Sequence, residues 1–302
     1  MYPPLAKVVL SGASGMLGGA LSRALATRNQ ETLQLVRRPA ARSTEIQWNP
    51  AATPLIADAA ALEGLTAAIH LSGANVAAHR WTPAYKQEIA ASRIDSTRAL
   101  AATLAHLSRP PQVMLVASAI GIYGNRGDEL LNESSAPGSG FMAELCEQWE
   151  AAAQPARDAG IRVVHLRFGV VLGPGGALAR ITPIFRLGLG GPLGSGRQWM
   201  SWISLSDAVA AILFALDTPT LTGPVNLTAP NPVTNAEFTR ALARRLHRPA
   251  IFPVPAFALR IALGQMADEA LLASARVLPA RLTQAGFQFQ HPTVEDALAA
   301  AL

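Results

Sequence analysis

The chain has 302 residues, half of them hydrophobic, and a formal net charge of +5. This length and apolar content are enough to bury a large core, which excludes an intrinsically disordered protein. The basic residues are spread along the chain and form no block, which argues against a nucleic-acid-binding stripe. Because the chain has a single cysteine, Cys146, it forms no disulfide within itself.

The distribution of apolar segments sets expectations for compartment and partners. No uninterrupted apolar run approaches the ~18 residues that a membrane span needs. The first strand begins within about seven residues, which leaves no room for a signal peptide. The six histidines show no metal-ligand spacing. We therefore expect a cytoplasmic protein with a small-molecule substrate, no metal, and neither a nucleic-acid nor a membrane partner; a homodimer is left open.

A strand, a glycine-rich turn and the start of a helix follow one another at residues 7–18. Gly12, Gly15 and Gly18 are spaced three residues apart. The first glycine permits a tight turn, the second lets phosphates approach the backbone, and the third lets the helix pack on the strand. The helix N-terminus then attracts the pyrophosphate of a dinucleotide, although an ordinary glycine-rich turn is the competing interpretation. The predicted pyrophosphate contacts are Gly12, Ser14, Gly15, Met16, Leu17 and Gly18.

The end of the second predicted strand distinguishes the two nicotinamide dinucleotides. NAD-binding proteins of this type carry an acidic residue there for the ribose 2′-hydroxyl, whereas this chain has Arg37 and Arg38. A guanidinium forms forked, charge-assisted hydrogen bonds with a phosphate. The pair therefore predicts NADP(H), with a solvated surface pair as the alternative.

Apolar runs alternate with helical patterns through the first 170 residues, as a parallel sheet with crossover helices requires. The predicted strands are residues 7–11, 32–36, 45–48, 67–71, 113–118 and 162–167. The predicted helices are residues 16–28, 83–107 and 141–159. Thr82 is the predicted N-cap of the second helix, with Pro83 at its first position. These elements predict an α/β fold with a Rossmann-type doubly wound parallel sheet.

The sequence changes character from about residue 169, where glycine and proline clusters separate short apolar pieces. We expect a dinucleotide-binding domain at 1–170 and a smaller C-terminal α/β substrate and lid region at 171–302, with part of 203–229 returning to the first domain. The five glycines of 188–196 predict a mobile loop, followed by an aromatic strand. The spacing of Thr234 and Glu237, and of Thr293 and Asp296, predicts capping boxes.

Four motifs follow the predicted strands of the sheet: Gly12-x-x-Gly15-x-x-Gly18, His70-Leu-Ser-Gly-Ala74, Ser118-Ala-Ile-Gly-Ile-Tyr123-Gly124 and Leu166-Arg-Phe-Gly-Val-Val-Leu-Gly173-Pro174. Together they resemble the extended short-chain dehydrogenase/reductase superfamily, the NAD-dependent epimerases and dehydratases. Runs at 72–75, 92–94, 141–146 and 190–202 narrow the resemblance to its atypical, epimerase-like subgroup of unassigned activity. The resemblance implies further cofactor contacts from Leu71, Ser72, Gly73, Ala74 and Ser118.

The same resemblance implies a tyrosine acid/base and, four residues later, a lysine that lowers its pKa. None of the chain's three tyrosines has a lysine four positions on. When Glu150 is aligned with the acidic residue that usually follows in that helix, the tyrosine position falls at Met142 and the lysine position at Cys146. The usual catalytic pair is therefore absent.

The remaining candidates for chemistry lie near the end of the fifth predicted strand, where open α/β sheets place ligands. Ser118 and Tyr123 are the catalytic candidates, although an interior tyrosine commonly packs its ring and satisfies its hydroxyl locally. Arg93, Arg197 and Trp199 are the candidate substrate contacts. The alternatives are a surface ion pair for Arg93 and a core position for Trp199.

Two functions follow from these residues. The first is an NADP(H)-binding, epimerase-like oxidoreductase that transfers hydride to or from an unidentified small molecule through a rebuilt active site. The second is a non-catalytic NADPH-binding sensor or regulatory protein, because the tyrosine and lysine are missing.

Overall fold

The computed structural model describes residues 7–52, 55–56 and 59–302, so the first six residues of the predicted N-terminal domain lie outside it. In this described part, seven parallel strands form one sheet in the order β11-β7-β5-β4-β1-β2-β3. Their bounds are β1 Lys7–Ser11, β2 Glu31–Val36, β3 Glu45–Gln47, β4 Ala67–His70, β5 Val113–Ala119, β7 Arg162–Phe168 and β11 Gly223–Leu227. This arrangement confirms the predicted Rossmann-type doubly wound fold.

The described chain also contains ten α-helices and six short strands. The helices are α1 Met16–Thr27, α2 Pro83–Ala105, α3 Phe141–Ala151, α4 Gln154–Asp158, α5 Gly176–Arg186, α6 Leu205–Asp217, α7 Asn235–Leu246, α8 Ala256–Leu263, α9 Ala280–Gln284 and α10 Val294–Ala301. The short strands are β6 Leu130–Leu131, β8 Val170–Leu172, β9 Trp199–Met200, β10 Trp202–Ser204, β12 Val233–Thr234 and β13 Arg276–Val277. None of the described helices is long and apolar enough to cross a membrane.

The sheet is covered on both faces because its strands carry apolar side chains at almost every position. On β5, Met114 and Val116 pack with α2, α3 and α4 on one face. Their neighbour Leu115 points to the other face and packs with α1 and α6. This alternation follows from the two-residue period of a strand. Two apolar layers thus hold the carboxyl ends of the strands at one fixed edge.

The helix boundaries follow local sequence signals. The Thr82 hydroxyl accepts a hydrogen bond from the Tyr85 backbone amide at 3.2 Å, as expected for the N-cap of α2. The single helix predicted over 141–159 is wrong in one respect, since α3 ends at Ala151 and α4 begins at Gln154. Pro155 explains the break, because it lacks the N–H that would continue the first helix.

The C-terminal third is divided between the sheet and a smaller layer. Helix α6 packs against the sheet beside α1, and β11 pairs with β7 at the sheet edge. The smaller layer contains α5, α7, α10 and the pair β8–β10, packed around the fully buried Trp202. The Thr234–Glu237 capping box begins α7. Thr293 likewise caps α10 by accepting from the Asp296 amide.

Candidate cofactor and substrate site

Two of the three glycines after β1 are required by the protein's own backbone. Gly12 has φ +78°, and a Cβ there would lie 2.8 Å from the carbonyl carbon of Leu71, just after β4. A Cβ at Gly18 would lie 2.1 Å from the carbonyl oxygen of Gly12, far inside van der Waals contact. These glycines therefore let α1 start close against the ends of β1 and β4.

Gly15 differs from them, because the fold itself leaves room for a side chain. Its φ is −76° and its ψ is 165°, and a Cβ would meet the Gly12 carbonyl oxygen at 3.4 Å, an ordinary contact. No side chain caps α1, and its first turn carries no acidic residue. The exposed position at Gly15 thus leaves the first-turn amides of α1, including those of Met16 and Leu17, open to an anion. This geometry fits the pyrophosphate of a dinucleotide.

The two arginines after β2 have different surroundings. Arg38 forms a fork with Glu45 of β3, with nitrogen–oxygen distances of 2.8 and 2.6 Å. These hydrogen bonds are the main reason that the pKa of Glu45 is lowered to about 2. Arg37 is exposed and has no hydrogen-bond or ion-pair partner among the described residues. The Arg38 guanidinium is thus engaged by Glu45, whereas the Arg37 guanidinium is available to a 2′-phosphate. The binding of a 2′-phosphate by the two arginines stays a prediction.

Arg93 supports the loop after β4. Its guanidinium donates to the carbonyl oxygen of Ala74 at 2.9 Å and stacks on Trp149, 5.2 Å from the ring centroid. The guanidinium also lies close to Gly73, where a Cβ would meet it at 3.1 Å. The Ser92 hydroxyl accepts from the Ala74 amide at 2.9 Å. Arg93 therefore holds the loop at Gly73 and Ala74 in place, and its predicted role as a substrate contact stays a prediction.

A buried polar chain crosses the sheet next to the end of β5. Ser118 donates to the Glu150 carboxylate at 2.7 Å, and Arg167 donates to the same carboxylate at 2.8 and 2.9 Å. Arg167 also donates to the Tyr123 hydroxyl at 3.0 Å, and that hydroxyl donates to Asn226 at 2.8 Å. Every member thus has a partner inside the protein.

This chain of hydrogen bonds engages the Tyr123 hydroxyl inside the protein, so the predicted catalytic role of Tyr123 stays a prediction that this geometry does not support. The side chain is fully buried, and its hydroxyl both accepts and donates within the protein. Burial is the main reason that the pKa of Tyr123 is raised. Ser118 is also buried, its hydroxyl proton is directed at Glu150, and it does not line the cavity described below. Neither hydroxyl is placed to act on a ligand in that cavity.

The positions expected for the tyrosine–lysine pair have no acid/base function. Met142 lies at the start of α3, and its Cε would be 3.2 Å from a Cβ on Gly121, just after β5. One turn later, Cys146 is a free, buried thiol whose pKa is raised to about 12, mainly by burial. A thioether and a protonated thiol therefore replace the usual proton donor and the cation that activates it.

A cavity of about 400 Å³ lies at the carboxyl ends of β5 and β7, within the size range of small-molecule sites. Helices α5 and α7, strand β9 and part of the segment 268–275 enclose it. Its walls are mostly apolar, and they include Met142, Phe168, Phe185, Trp199 and Phe238.

Of the other predicted substrate contacts, Trp199 lines this cavity and Arg197 does not. The Trp199 indole N–H donates to Asp128 at 2.8 Å, and the Arg276 guanidinium lies 4.1 Å from its ring centroid. Arg197 precedes β9 in the glycine-rich loop and is exposed to solvent, where its charge stays hydrated. A substrate contact by Arg197 therefore stays a prediction that the cavity lining does not support.

The glycine turn at residues 12–18, called the cradle below, lies next to the cavity. Met16, the first residue of α1, packs against the turn at Gly173 and Gly175, whose missing Cβ atoms would lie 3.0 and 3.2 Å from its sulfur. That turn begins α5, whose residues Ala177 and Ile181 line the cavity. The start of α1 and the cavity therefore share α5 as a common wall.

Comparisons with known proteins agree with this geometry. The family model for the NAD dependent epimerase/dehydratase family matches residues 8–227, and a domain of unknown function (DUF1731) matches residues 254–301. The epimerase family protein MT2273 of Mycobacterium tuberculosis is 47% identical over 294 residues, covering 97% of this chain and 96% of the relative.

Solved structures agree as well. The crystal structure of human epimerase family protein SDR39U1 (isoform 2) with NADPH has a TM-score of 0.90 and 32% identity, covering 98% of each chain. A nucleoside-diphosphate sugar epimerase from Corynebacterium glutamicum has a TM-score of 0.81 and 35% identity, covering 99% of this chain and 58% of that one. The chain therefore belongs to the NAD-dependent epimerase/dehydratase family.

Proposed function

We propose that this protein binds NADPH, with the pyrophosphate at the N-terminus of α1 and the 2′-phosphate at Arg37. The observation that carries the proposal is the open, uncapped start of α1 beside Gly15, where the fold itself does not require a glycine. The exposed guanidinium of Arg37 supplies the positive charge that a 2′-phosphate needs. The NADPH-bound structure of the human relative supports the same cofactor.

We further propose that the protein is an oxidoreductase whose substrate occupies the apolar cavity. A bound reduced nicotinamide supplies a hydride for an electrophilic carbon, and the product takes up one proton. The chain's own part is to exclude water with Phe168, Phe185 and Phe238 and to hold the substrate beside the cofactor cradle. Since the Met142 side chain has no ionisable proton, the proton comes from solvent or from another group at the cavity wall.

A second candidate function is a non-catalytic NADPH sensor. The specific observation in its favour is that Met142 and Cys146 replace the acid/base pair, while the hydroxyls of Ser118 and Tyr123 are engaged inside the protein. A protein with this arrangement can bind the cofactor without a group dedicated to moving a proton.

A titration of the purified protein with NADPH and NADH tests the cofactor proposal, and a carbonyl panel added to the NADPH complex tests the reaction. Selective NADPH binding with substrate-dependent loss of NADPH absorbance is the expected result. Tight NADPH binding without turnover across a broad panel would favour the sensor. Equal affinity for the two dinucleotides would contradict the role given to Arg37.

A further inference from the structure

The charges at the cavity wall limit what the cavity can accept. Among the described residues that line it, none is lysine, arginine or histidine. The charged lining residues are Asp268 and Glu269, which are both acidic. A phosphate or carboxylate placed there would lose its hydration, find no cation and face two carboxylates. The lining therefore disfavours an anionic ligand such as a nucleotide sugar.

The two carboxylates are also engaged by the protein. Glu269 accepts hydrogen bonds from the backbone amides of Phe141 and Met142, at 3.3 and 2.8 Å, and so caps the N-terminus of α3. Asp268 pairs with Arg260 at 2.8 Å. Because both acids have partners, the cavity has no free negative charge dedicated to a cationic ligand.

Nearby arginines do not change this balance. Arg167 is paired with Glu150 inside the sheet, Arg93 donates to the carbonyl of Ala74, and Arg276 stacks on Trp199 without lining the cavity. Each of these three guanidinium groups is thus directed at another part of the protein, and Arg197 is exposed to solvent. The surface that a ligand meets is neutral apart from the two engaged acids.

Two lining side-chain amides can orient a polar group on an otherwise apolar ligand. The Oδ1 atoms of Asn125 and Asn235 accept from the backbone amides of Ser274 and Leu193, at 3.0 and 2.8 Å. Within the part of the chain that the structure describes, their Nδ2 groups donate no hydrogen bond. Both residues line the cavity, so these N–H groups are available to a carbonyl oxygen.

We propose that the cavity takes a neutral, mostly apolar carbonyl compound and rejects nucleotide sugars and other anions. This inference rests on the proposed function, because it names the substrate class of the same site. A relative of the same fold is named as a nucleoside-diphosphate sugar epimerase, but a shared fold does not imply a shared substrate.

The test uses two probes of nearly the same shape, 2-naphthaldehyde and its anionic analogue 6-formyl-2-naphthoate, with UDP-glucose as a third. Binding is measured by calorimetry on the full chain, with and without NADPH. We expect the neutral aldehyde to bind at least about tenfold more tightly than the carboxylate, and UDP-glucose not to bind. Equal or tighter binding of either anion, or no binding of the neutral aldehyde, would overturn the proposal.

A pair of variants on α5 provides the matched control. Ile181→Lys places a cation at the cavity wall, whereas Ile184→Lys places one on the exposed side of the same helix. The first variant should shift the preference toward the carboxylate by about tenfold or more, and the second should leave it unchanged. NADPH affinity is measured separately, so its loss counts against the proposed function and not against the substrate class. If Ile181→Lys does not fold, the three probes on the unmodified protein still decide the question.

Discussion

Replacing Glu150 with glutamine tests whether the buried polar chain stabilises the sheet. The side chains of Glu150 and Arg167 are 12% and 8% exposed, and two hydrogen bonds join them. Removing one partner of such a pair leaves an uncompensated buried charge and costs about 3–5 kcal/mol. Because glutamine keeps the shape and can still accept from Ser118, we expect the lower end, a loss of about 3 kcal/mol in the free energy of unfolding.

The matched control is Glu295→Gln, since Glu295 forms a pair of the same length with Arg244 but is 55% exposed. Its cost should be below about 1 kcal/mol. Both variants are unfolded in urea, with far-ultraviolet circular dichroism and tryptophan fluorescence as the two probes. If Glu150→Gln costs no more than Glu295→Gln, the reasoning about the buried pair is refuted.

The effect of pH provides a second check on the same variant. Burial raises the pKa of Glu150, but the hydrogen bonds and charge of Arg167 outweigh it, so the pKa in the folded protein lies below its ordinary value of 4.5. The stability from this carboxylate is therefore present above 4.5 and is lost as the pH falls through the folded pKa. The difference between the unmodified protein and Glu150→Gln should narrow in acid, and a constant difference would contradict the assignment.

Three further predictions concern the cradle, the cofactor choice and the core. Gly15→Ala should change the free energy of unfolding by less than about 1 kcal/mol yet weaken NADPH binding roughly tenfold or more. Gly18→Ala, in contrast, should lower the melting temperature of the protein. Equal melting temperatures for the Gly15→Ala and Gly18→Ala variants would refute this difference. Arg37→Glu should cost about 1.5–3 kcal/mol of NADPH affinity in calorimetry and leave NADH affinity nearly unchanged; equal losses would contradict it. Burial lowers the pKa of His70 to about 4, so stability should fall as the pH drops from 6.5 toward 4. His70→Gln should flatten that fall in unfolding measured against pH, though not abolish it, because burial also lowers the pKa of His165 to about 4. An unchanged slope would count against the role of His70.

The central strands could be predicted because they are buried on both faces and appear as short apolar runs. The edge strand β11 was not predicted as a strand, since its sequence, Gly-Pro-Val-Asn-Leu, interrupts the apolar run with Pro224 and Asn226. Pro224 is tolerated because β11 lies at the sheet edge. Asn226 can be buried because its side-chain oxygen accepts a hydrogen bond from the Tyr123 hydroxyl. The two residues are 103 positions apart in the chain. A contact between residues so far apart has no recognisable pattern in the local sequence.

The sequence indicates where the candidate residues lie along the chain but not where their side chains point. The spacing of the glycines predicts the turn between β1 and α1, because the backbone conformation of a turn depends on neighbouring residues. The direction of side chains depended on partners in other elements, as when Ser118 turned toward Glu150 on α3. The side-chain direction of Arg38 could not be predicted either, although its partner is close in sequence. Its partner Glu45 is seven residues away, but their contact follows from the pairing of β2 with β3.

Glu269 links regions that the family models describe separately. It belongs to the C-terminal match at 254–301, yet it caps α3 of the dinucleotide-binding match through the amides of Phe141 and Met142. A chain cut before residue 254 would lose this cap and one wall of the cavity together. The segment 254–301 therefore contributes both to the start of α3 and to the cavity, so its removal should affect the region matched at 8–227 as well.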